Sequence, residues 1–363
     1  MTRVYIVGAG PAGCWIARRL TESGHRVTLI TGRGPRLVRE RFDECLVYYG
    51  LGPGGSARYS MGNLGFWGPK RLERRFQRAI TDLSTPIERP PDDVLTDHDL
   101  RLERAARDLG LKAERAPKAI DFNRCTGCGR CLECPHRAKW DPTRELPDDV
   151  EVIEDHCLEL RTASGRVTEL ILERRRLRLD EDDAVVLSAG CPGTPDLLRR
   201  SGIETDAPLF ADLYVHVVSN LRTPPGLQMP VIVHEDEYML SPHRTSRHPD
   251  RYALMVKIRD ELTGSVAERR KPVTAADATR LAEGCALAGE LLRELGAHVE
   301  TVTRPAGAHP GGALAERLDR EYGLEGFENL HVVDVNALNE ALGRPTIGAI
   351  LALAEDFTDR WPG

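Results

Sequence analysis

The stretch Gly8-Ala9-Gly10-Pro11-Ala12-Gly13 constrains the fold more than any other part of the chain. It follows a short apolar run, Val4–Val7, and opens a segment in which Trp15, Ile16 and Leu20 share one helical face. A second apolar run, Val27–Ile30, comes next. Strand, glycine turn, helix and strand in this order open a doubly wound α/β fold with a dinucleotide site. Each glycine has its own task. Gly8 permits the tight turn out of the strand, Gly10 lets backbone approach a pyrophosphate, and Gly13 lets the helix lie close to the sheet. The helix that starts at Pro11 and Ala12 then offers unpaired N–H groups and a favourable dipole to the anion.

One part of such a site is missing. The second strand usually ends in an acid that binds the ribose hydroxyls. Here Leu29-Ile30 runs into Thr31-Gly32-Arg33, so Thr31 stands at the ribose position with one hydroxyl to offer. Arg33 is placed to meet a phosphate, which leaves NADP beside FAD as the dinucleotide these residues alone allow.

The 363 residues suffice for one large or two interleaved domains with a substantial core. The net charge of -6 argues against a general nucleic-acid binder. No apolar run approaches the roughly 20 residues that span a bilayer, and the chain enters a strand pattern at once, so a cytoplasmic location is the expectation. Glutamine is confined to Gln77 and Gln228 while arginine and glutamate abound, a balance that suits a heat-adapted source or a GC-rich coding bias equally.

Further along, residues 50–68 are glycine-rich, 84–95 read as loop and Leu100–Leu109 as helix. Val150–Ile153 and Val167–Leu172, with Gly165 between them, suggest a small meander. Ala184–Ser188 reads as a buried strand and Gly190–Gly202 as a turn into a helix. Residues 210–260 alternate in places and suggest a sheet covering a pocket; Ala275–Leu295 is a long amphipathic helix. Leu330–Val333 is a last parallel strand and Thr346–Trp361 a final helix.

Four cysteines crowd into ten residues as Cys125-x2-Cys128-x2-Cys131-x2-Cys134-Pro135. Thiolates at that spacing suit a [4Fe-4S] cluster, and Gly127 and Gly129 permit tight winding around it. The fourth ligand is Cys134 or a distal cysteine, with Cys45, Cys157 and Cys191 as candidates. Zinc is the rival metal, although its sites usually pair two separated C-x2-C units. Cys14 and Cys285 read as core cysteines.

Taken together, several stretches resemble the glucose–methanol–choline (GMC) oxidoreductases. Gly8–Gly13 fits that family's FAD site, and Gly54-Gly55-Ser56 followed by Met61-Gly62-Asn63 is similar to its segment beside the flavin. The run Gly190–Ile203 resembles its second signature, with Cys191 and Glu204 as departures. Ala308-His309-Pro310-Gly311-Gly312, Val332-Val333-Asp334 and Arg344-Pro345-Thr346 resemble its C-terminal motifs. Cys134-Pro135-His136-Arg137-Ala138-Lys139 matches a cysteine-rich subgroup.

The resemblance implies bound FAD and oxidation of an alcohol, or the reverse, with His309 as the catalytic histidine. Its usual partner, an Asn or His before the last Pro-Thr, is replaced by Arg344, so Asn339 is the candidate substitute. Arg344 would put a fixed positive charge near the flavin, or point to solvent. Gly190, Asp334, Pro345 and Thr346 join the expected cofactor contacts. A cluster would give electrons a one-electron exit, with ferredoxin as natural partner. His216, His234, His243, Tyr238 and Trp67 read as surface or core, and Lys257 and Arg259 as a solvated strand face.

The expected architecture is therefore α/β. A Rossmann-like FAD-binding domain spans 1–205, with a cysteine-rich insert at about 120–145. A trimmed substrate-covering sheet occupies 206–300, and 301–363 returns to the first domain. Two other readings keep the motifs and drop the alcohol chemistry: a flavin and iron–sulfur electron-transfer protein, and a degenerate member serving cofactor assembly.

Overall fold

The computed structural model of the protein describes residues 3–205 and 207–361. Strand Arg3–Val7 is buried from Val4 to Val7 and sits inside a five-stranded parallel sheet. Its neighbours are Arg26–Thr31 on one side and Ala184–Leu187 on the other; Glu151–Glu154 and Leu330–Val332 form the edges. The chain leaves the first strand to one side and later returns to the other. The crevice between the C-terminal ends of Arg3–Val7 and Ala184–Leu187 is thus a switch point, where doubly wound sheets bind their ligands.

The glycine fingerprint sits at that crevice, and packing explains two of its three glycines. A Cβ on Gly8, at φ +113°, would lie 2.3 Å from the Ser188 carbonyl oxygen, and one on Gly13 would lie 1.9 Å from the Gly8 oxygen. Helix Pro11–Glu22 then packs its Trp15, Ile16 and Leu20 into the core beside the last helix, Ile347–Arg360.

Strand Glu151–Glu154 corrects the expected meander. It runs parallel to Arg26–Thr31, with Thr28 opposite Glu151. The meander instead comprises Cys157–Ala163, Arg166–Leu172 and Arg176–Arg178. A Glu–Val–Ile–Glu segment in which only Ile153 is buried carries no period that separates a sheet edge from a hairpin.

A nine-stranded sheet stands over the parallel one. Its centre is the antiparallel pair Leu213–Arg222 and Arg251–Ile258. It also takes in Arg36–Phe42 and Cys45–Leu51 from the early chain, Lys112–Arg115, and the short strand Ala306–Gly307. Because side chains alternate along a strand, Leu213, Val215, Val217, Leu254, Val256 and Ile258 all face one way, against helix Ala275–Glu294. Tyr214, His216, Met255 and Lys257 face the other way, toward the nucleotide fold, with Tyr214 opposite Lys257 and His216 opposite Met255. Among the described residues no helix is long and apolar enough to cross a membrane.

Candidate active site

Between the inner face of the large sheet and the fingerprint lies a cavity of about 700 Å³. Pro11, Ser56 and Asn63 line it at the nucleotide side, and Pro345, Thr346 and Ile347 bring in the start of the last helix. His309 lines it from the sheet side, with 26% of its side chain exposed.

The nucleotide side is built by backbone. Gly54 N–H donates to Ala9 O at 2.8 Å, and a Cβ on Gly55 would come within 3.1 Å of Gly10 Cα, so the Gly54-Gly55-Ser56 turn braces the fingerprint loop. Ser56 Oγ accepts from Gly50 N at 2.9 Å. Gly10 caps the first helix with no side chain, and a Cβ there would meet nothing within 4 Å; the same open space faces Gly190. The first-turn N–H groups therefore look onto free volume, as an anion site requires. Asp334 is buried and fully engaged: it accepts from Gly190 N (2.8 Å), Thr194 Oγ1 (2.6 Å), Asn336 N (2.8 Å) and Asn336 Nδ2 (2.7 Å). It fixes the loop beside the crevice. Thr31 is buried, its hydroxyl turned to Gly32 O, and a Cβ on Gly32 would fall 2.6 Å from the His156 ring.

His309 is held by two residues that motif reading missed. Its backbone N–H donates to Ala211 O at 3.3 Å, on a segment paired with the start of strand Leu213–Arg222. Asp212 there adopts φ +47°, and its Oδ2 lies 2.9 Å from His309 Nδ1. Its other oxygen accepts from Gly343 N at 3.0 Å. Lys257 Nζ stands 3.0 Å from the same Oδ2 and 2.6 Å from His309 Nδ1, and also donates to Arg344 O at 3.1 Å. Both Asp212 and Lys257 are buried. Burial works against the Asp212 carboxylate, but the Lys257 ammonium and His309 hold its pKa below the ordinary range. Burial lowers the Lys257 pKa against the pull of Asp212. Burial and the Lys257 charge lower that of His309, with Asp212 opposing. The balance lowers the His309 pKa below the ordinary imidazole value, and its Nε2 has no protein partner among the described residues.

Lys257 corrects the expectation of a solvated strand face: the face it occupies is the cavity roof, not the protein surface. The available signals were an acid, Asp212, within the apolar run Leu209–Leu213, and a lysine within the apolar run Ala253–Ile258. Arg259, by contrast, is partly exposed and pairs with Glu340 at 2.8 Å.

Two other expected site residues lie elsewhere. Asn339 is exposed and is not part of the cavity wall. Arg344 is buried, yet its guanidinium turns back to the carbonyls of Gly343 and Glu235, and burial pushes its pKa down to about 10. What Arg344 offers the site is its carbonyl, to Lys257. His216 and His243 do line the cavity, joined Nε2 to Nδ1 at 2.8 Å. Burial lowers both, His243 to about 4. His234 instead pairs with Glu114, and Trp67 packs in a small apolar cluster.

The cysteine loop lies under the large sheet, with Cys125, Cys131 and Cys134 packed around Val94, Ile120, Ala138 and Leu227. Gly127 and Gly129 adopt φ +62° and +75°, as winding of the loop demands. Among the described residues, however, no three His, Cys, Asp or Glu side chains converge to hold a metal ion. The proposed distal ligands are also elsewhere: Cys45, Cys157 and Cys191 pack in three other apolar clusters. Two buried lysines flank the loop, and burial pushes Lys118 down to about 7 and Lys139 to about 8. Lys139 Nζ donates to the carbonyls of Arg58 (2.6 Å), Ser60 (2.7 Å) and Cys131 (2.8 Å). Lys118 Nζ donates to the oxygens of Met61 (2.9 Å), Gln228 (3.0 Å) and Asn63. Neither has a carboxylate partner among the described residues. Gln228 N–H points at Cys131 Sγ from 3.5 Å.

No protein-family model matches the chain. An uncharacterised protein of Methanocaldococcus jannaschii is 29% identical over 97% of both chains. An uncharacterised GMC-type oxidoreductase of Mycobacterium tuberculosis is 26% identical over 60% of this chain; the match spans 42% of that longer protein. Pyridoxine 4-oxidase from Mesorbium loti has the same fold, with a TM-score of 0.77, 16% identity and 99% of each chain covered. The chain thus has the fold of pyridoxine 4-oxidase, and over 60% of its length its sequence is similar to GMC-type oxidoreductases.

Proposed function

We propose that the chain is an FAD-dependent oxidoreductase acting on a CH–OH or carbonyl carbon of a small molecule. The observation that carries this is the position of His309, braced at Nδ1 by Asp212 and Lys257, on the wall of a cavity that begins at the nucleotide fingerprint. FAD suits the residues around that cavity. Gly10 presents open space at an uncapped helix start, and Thr346 opens a second helix toward the same cavity. Bound FAD supplies a two-electron hydride acceptor or donor.

The protein's share is proton handling. His309 Nε2 exchanges the hydroxyl proton of the substrate, and Asp212 and Lys257 fix the ring in register for it. The test is recombinant protein assayed for flavin release on denaturation, then mixed anaerobically with a panel of primary alcohols that includes pyridoxine. Stoichiometric FAD, and bleaching of its absorbance by at least one alcohol, is the expected result. Purification and reconstitution without any FAD retention would contradict the reading.

An iron–sulfur centre at Cys125, Cys128, Cys131 and Cys134 is the finer part of the proposal. What favours it is the pair of buried lysines, Lys118 and Lys139, beside the thiols with no carboxylate partner among the described residues; burial pushes Lys118 down to about 7 and Lys139 to about 8. Thiolates at a metal centre would favour the charged form of both lysines and so offset that burial. The thiols as placed are not drawn together as a ligand set, so no electron route is derived through them. Ferredoxin as an electron partner stands or falls with the centre. Iron and acid-labile sulfide measured on anaerobically purified protein decide it: about four of each supports the centre, and none of either contradicts it.

A further inference from the structure

The outer part of the cavity is lined by arginine. Arg39 and Arg41 project from one face of strand Arg36–Phe42, two residues apart. Arg247 comes from the loop after strand Tyr238–Pro242, and Arg304 from the loop before Ala306–Gly307. Three separate parts of the chain thus bring four guanidinium groups to one opening, and a fifth arginine, the half-buried Arg244, also lines the cavity. All four are exposed.

None of the four makes an ion pair among the described residues, and Glu44 is the only carboxylate lining the same cavity. Arg39 has one notable contact, over the Tyr48 ring at 5.8 Å, which holds its plane without neutralising it. The whole chain carries a net charge of -6, so this concentration runs against the overall sign. Four like charges around one mouth repel one another and raise the potential inside it. Such an arrangement draws in an anion, because a guanidinium fork binds phosphate or carboxylate oxygens in pairs. A neutral alcohol gains nothing from it. The inner end of the same cavity holds His309 and the start of the last helix, so the reacting end and the charged end belong to one space.

We propose that the mouth of this cavity is an anion subsite, and that the molecule acted on at His309 carries a phosphate or carboxylate group held by Arg39, Arg41, Arg247 and Arg304. The inference rests on the reading of the cavity as the substrate site. A docking surface for an acidic protein is the competing use of these arginines. The cavity geometry favours the small molecule, since the four line an opening rather than a flat face.

The test uses FAD-loaded protein and isothermal titration with glycerol, glycerate and glycerol 3-phosphate, one skeleton with rising negative charge. Binding at least tenfold tighter for one or both anions than for glycerol, weakening as salt is raised, is the expected result. The better of glycerate and glycerol 3-phosphate identifies the group. The variant carrying R39Q, R41Q, R247Q and R304Q should lose that preference while keeping its FAD and its melting temperature. Equal binding of all three probes, or a preference that survives in the variant, would overturn the proposal. So would an unaltered small-molecule profile with salt-sensitive binding to an acidic ferredoxin, which is the protein-docking outcome. Absence of FAD from the protein would instead strike at the flavin reading, and the titration still reports on the arginines.

Discussion

Lys257 Nζ stands 2.6 Å from His309 Nδ1, and both are held by the same oxygen of Asp212. A lysine and an aspartate at one ring nitrogen act in opposite senses. The ammonium disfavours a proton on the ring, and the carboxylate favours it. Together they set which nitrogen carries the proton and at what pH the ring charges.

This gives a signed prediction for two variants. In Lys257→Met the ring loses a positive neighbour, so His309 protonates at higher pH and the acidic limb of kcat/KM moves up. In Asp212→Asn the ring loses its negative neighbour, and the limb moves down. The Asn variant also strands the buried Lys257 charge, at a cost of about 3–5 kcal/mol in stability. Shifts of the same sign in both variants would show that the pair does not tune His309. Thermal melts alongside the pH profiles separate the two effects.

The fingerprint glycines should separate ligand binding from folding. A Cβ on Gly10 meets open space, at an ordinary φ of -82°. Gly10→Ala is therefore expected to melt within a few degrees of the parent while its FAD affinity falls about tenfold or more, because the methyl occupies space meant for the dinucleotide. Gly13→Ala places its Cβ 1.9 Å from the Gly8 oxygen and should lower the melting temperature as well. Differential scanning calorimetry with and without added FAD distinguishes the two.

His216 and His243 predict an acid-sensitive fold. Burial lowers both, His243 to about 4, whereas an unfolded histidine titrates near 6.5. The unfolded chain binds protons first as pH falls, so stability is complete above about 6.5 and is lost progressively toward pH 4. Melting temperature should fall from pH 6.5 to 5, before most carboxylates titrate. His243→Asn should fall less steeply over that interval. Parallel profiles for the variant and the parent would mean that the pair contributes nothing to the loss.

Much of this was readable from residue order. The fingerprint, the crossing strands, the long helix Ala275–Glu294 and the last helix depend on local periodicity and glycine placement, which a sequence displays. His309 stood in a recognisable motif and does line the cavity. Its supports did not stand in any motif. Asp212 and Lys257 are 45 residues apart and meet only because strands Leu213–Arg222 and Arg251–Ile258 pair in one register. Asn339 and Arg344 were placed by motif offset, and a tightly turned loop directs both side chains away from the cavity. The cysteine spacing marked a loop in which Gly127 and Gly129 adopt positive φ, but convergence of thiols is a three-dimensional fact that spacing does not fix.

If His309 is the group that exchanges a proton with the substrate, reduction of the flavin depends on it. Anaerobic single-turnover reduction of the bound flavin by an alcohol that the parent protein oxidises, compared with His309→Ala, tests it most directly. The variant is expected to keep its FAD and its melting temperature while the reduction rate falls by about 10²–10⁴-fold at neutral pH. A variant that reduces its flavin at the parental rate would contradict it.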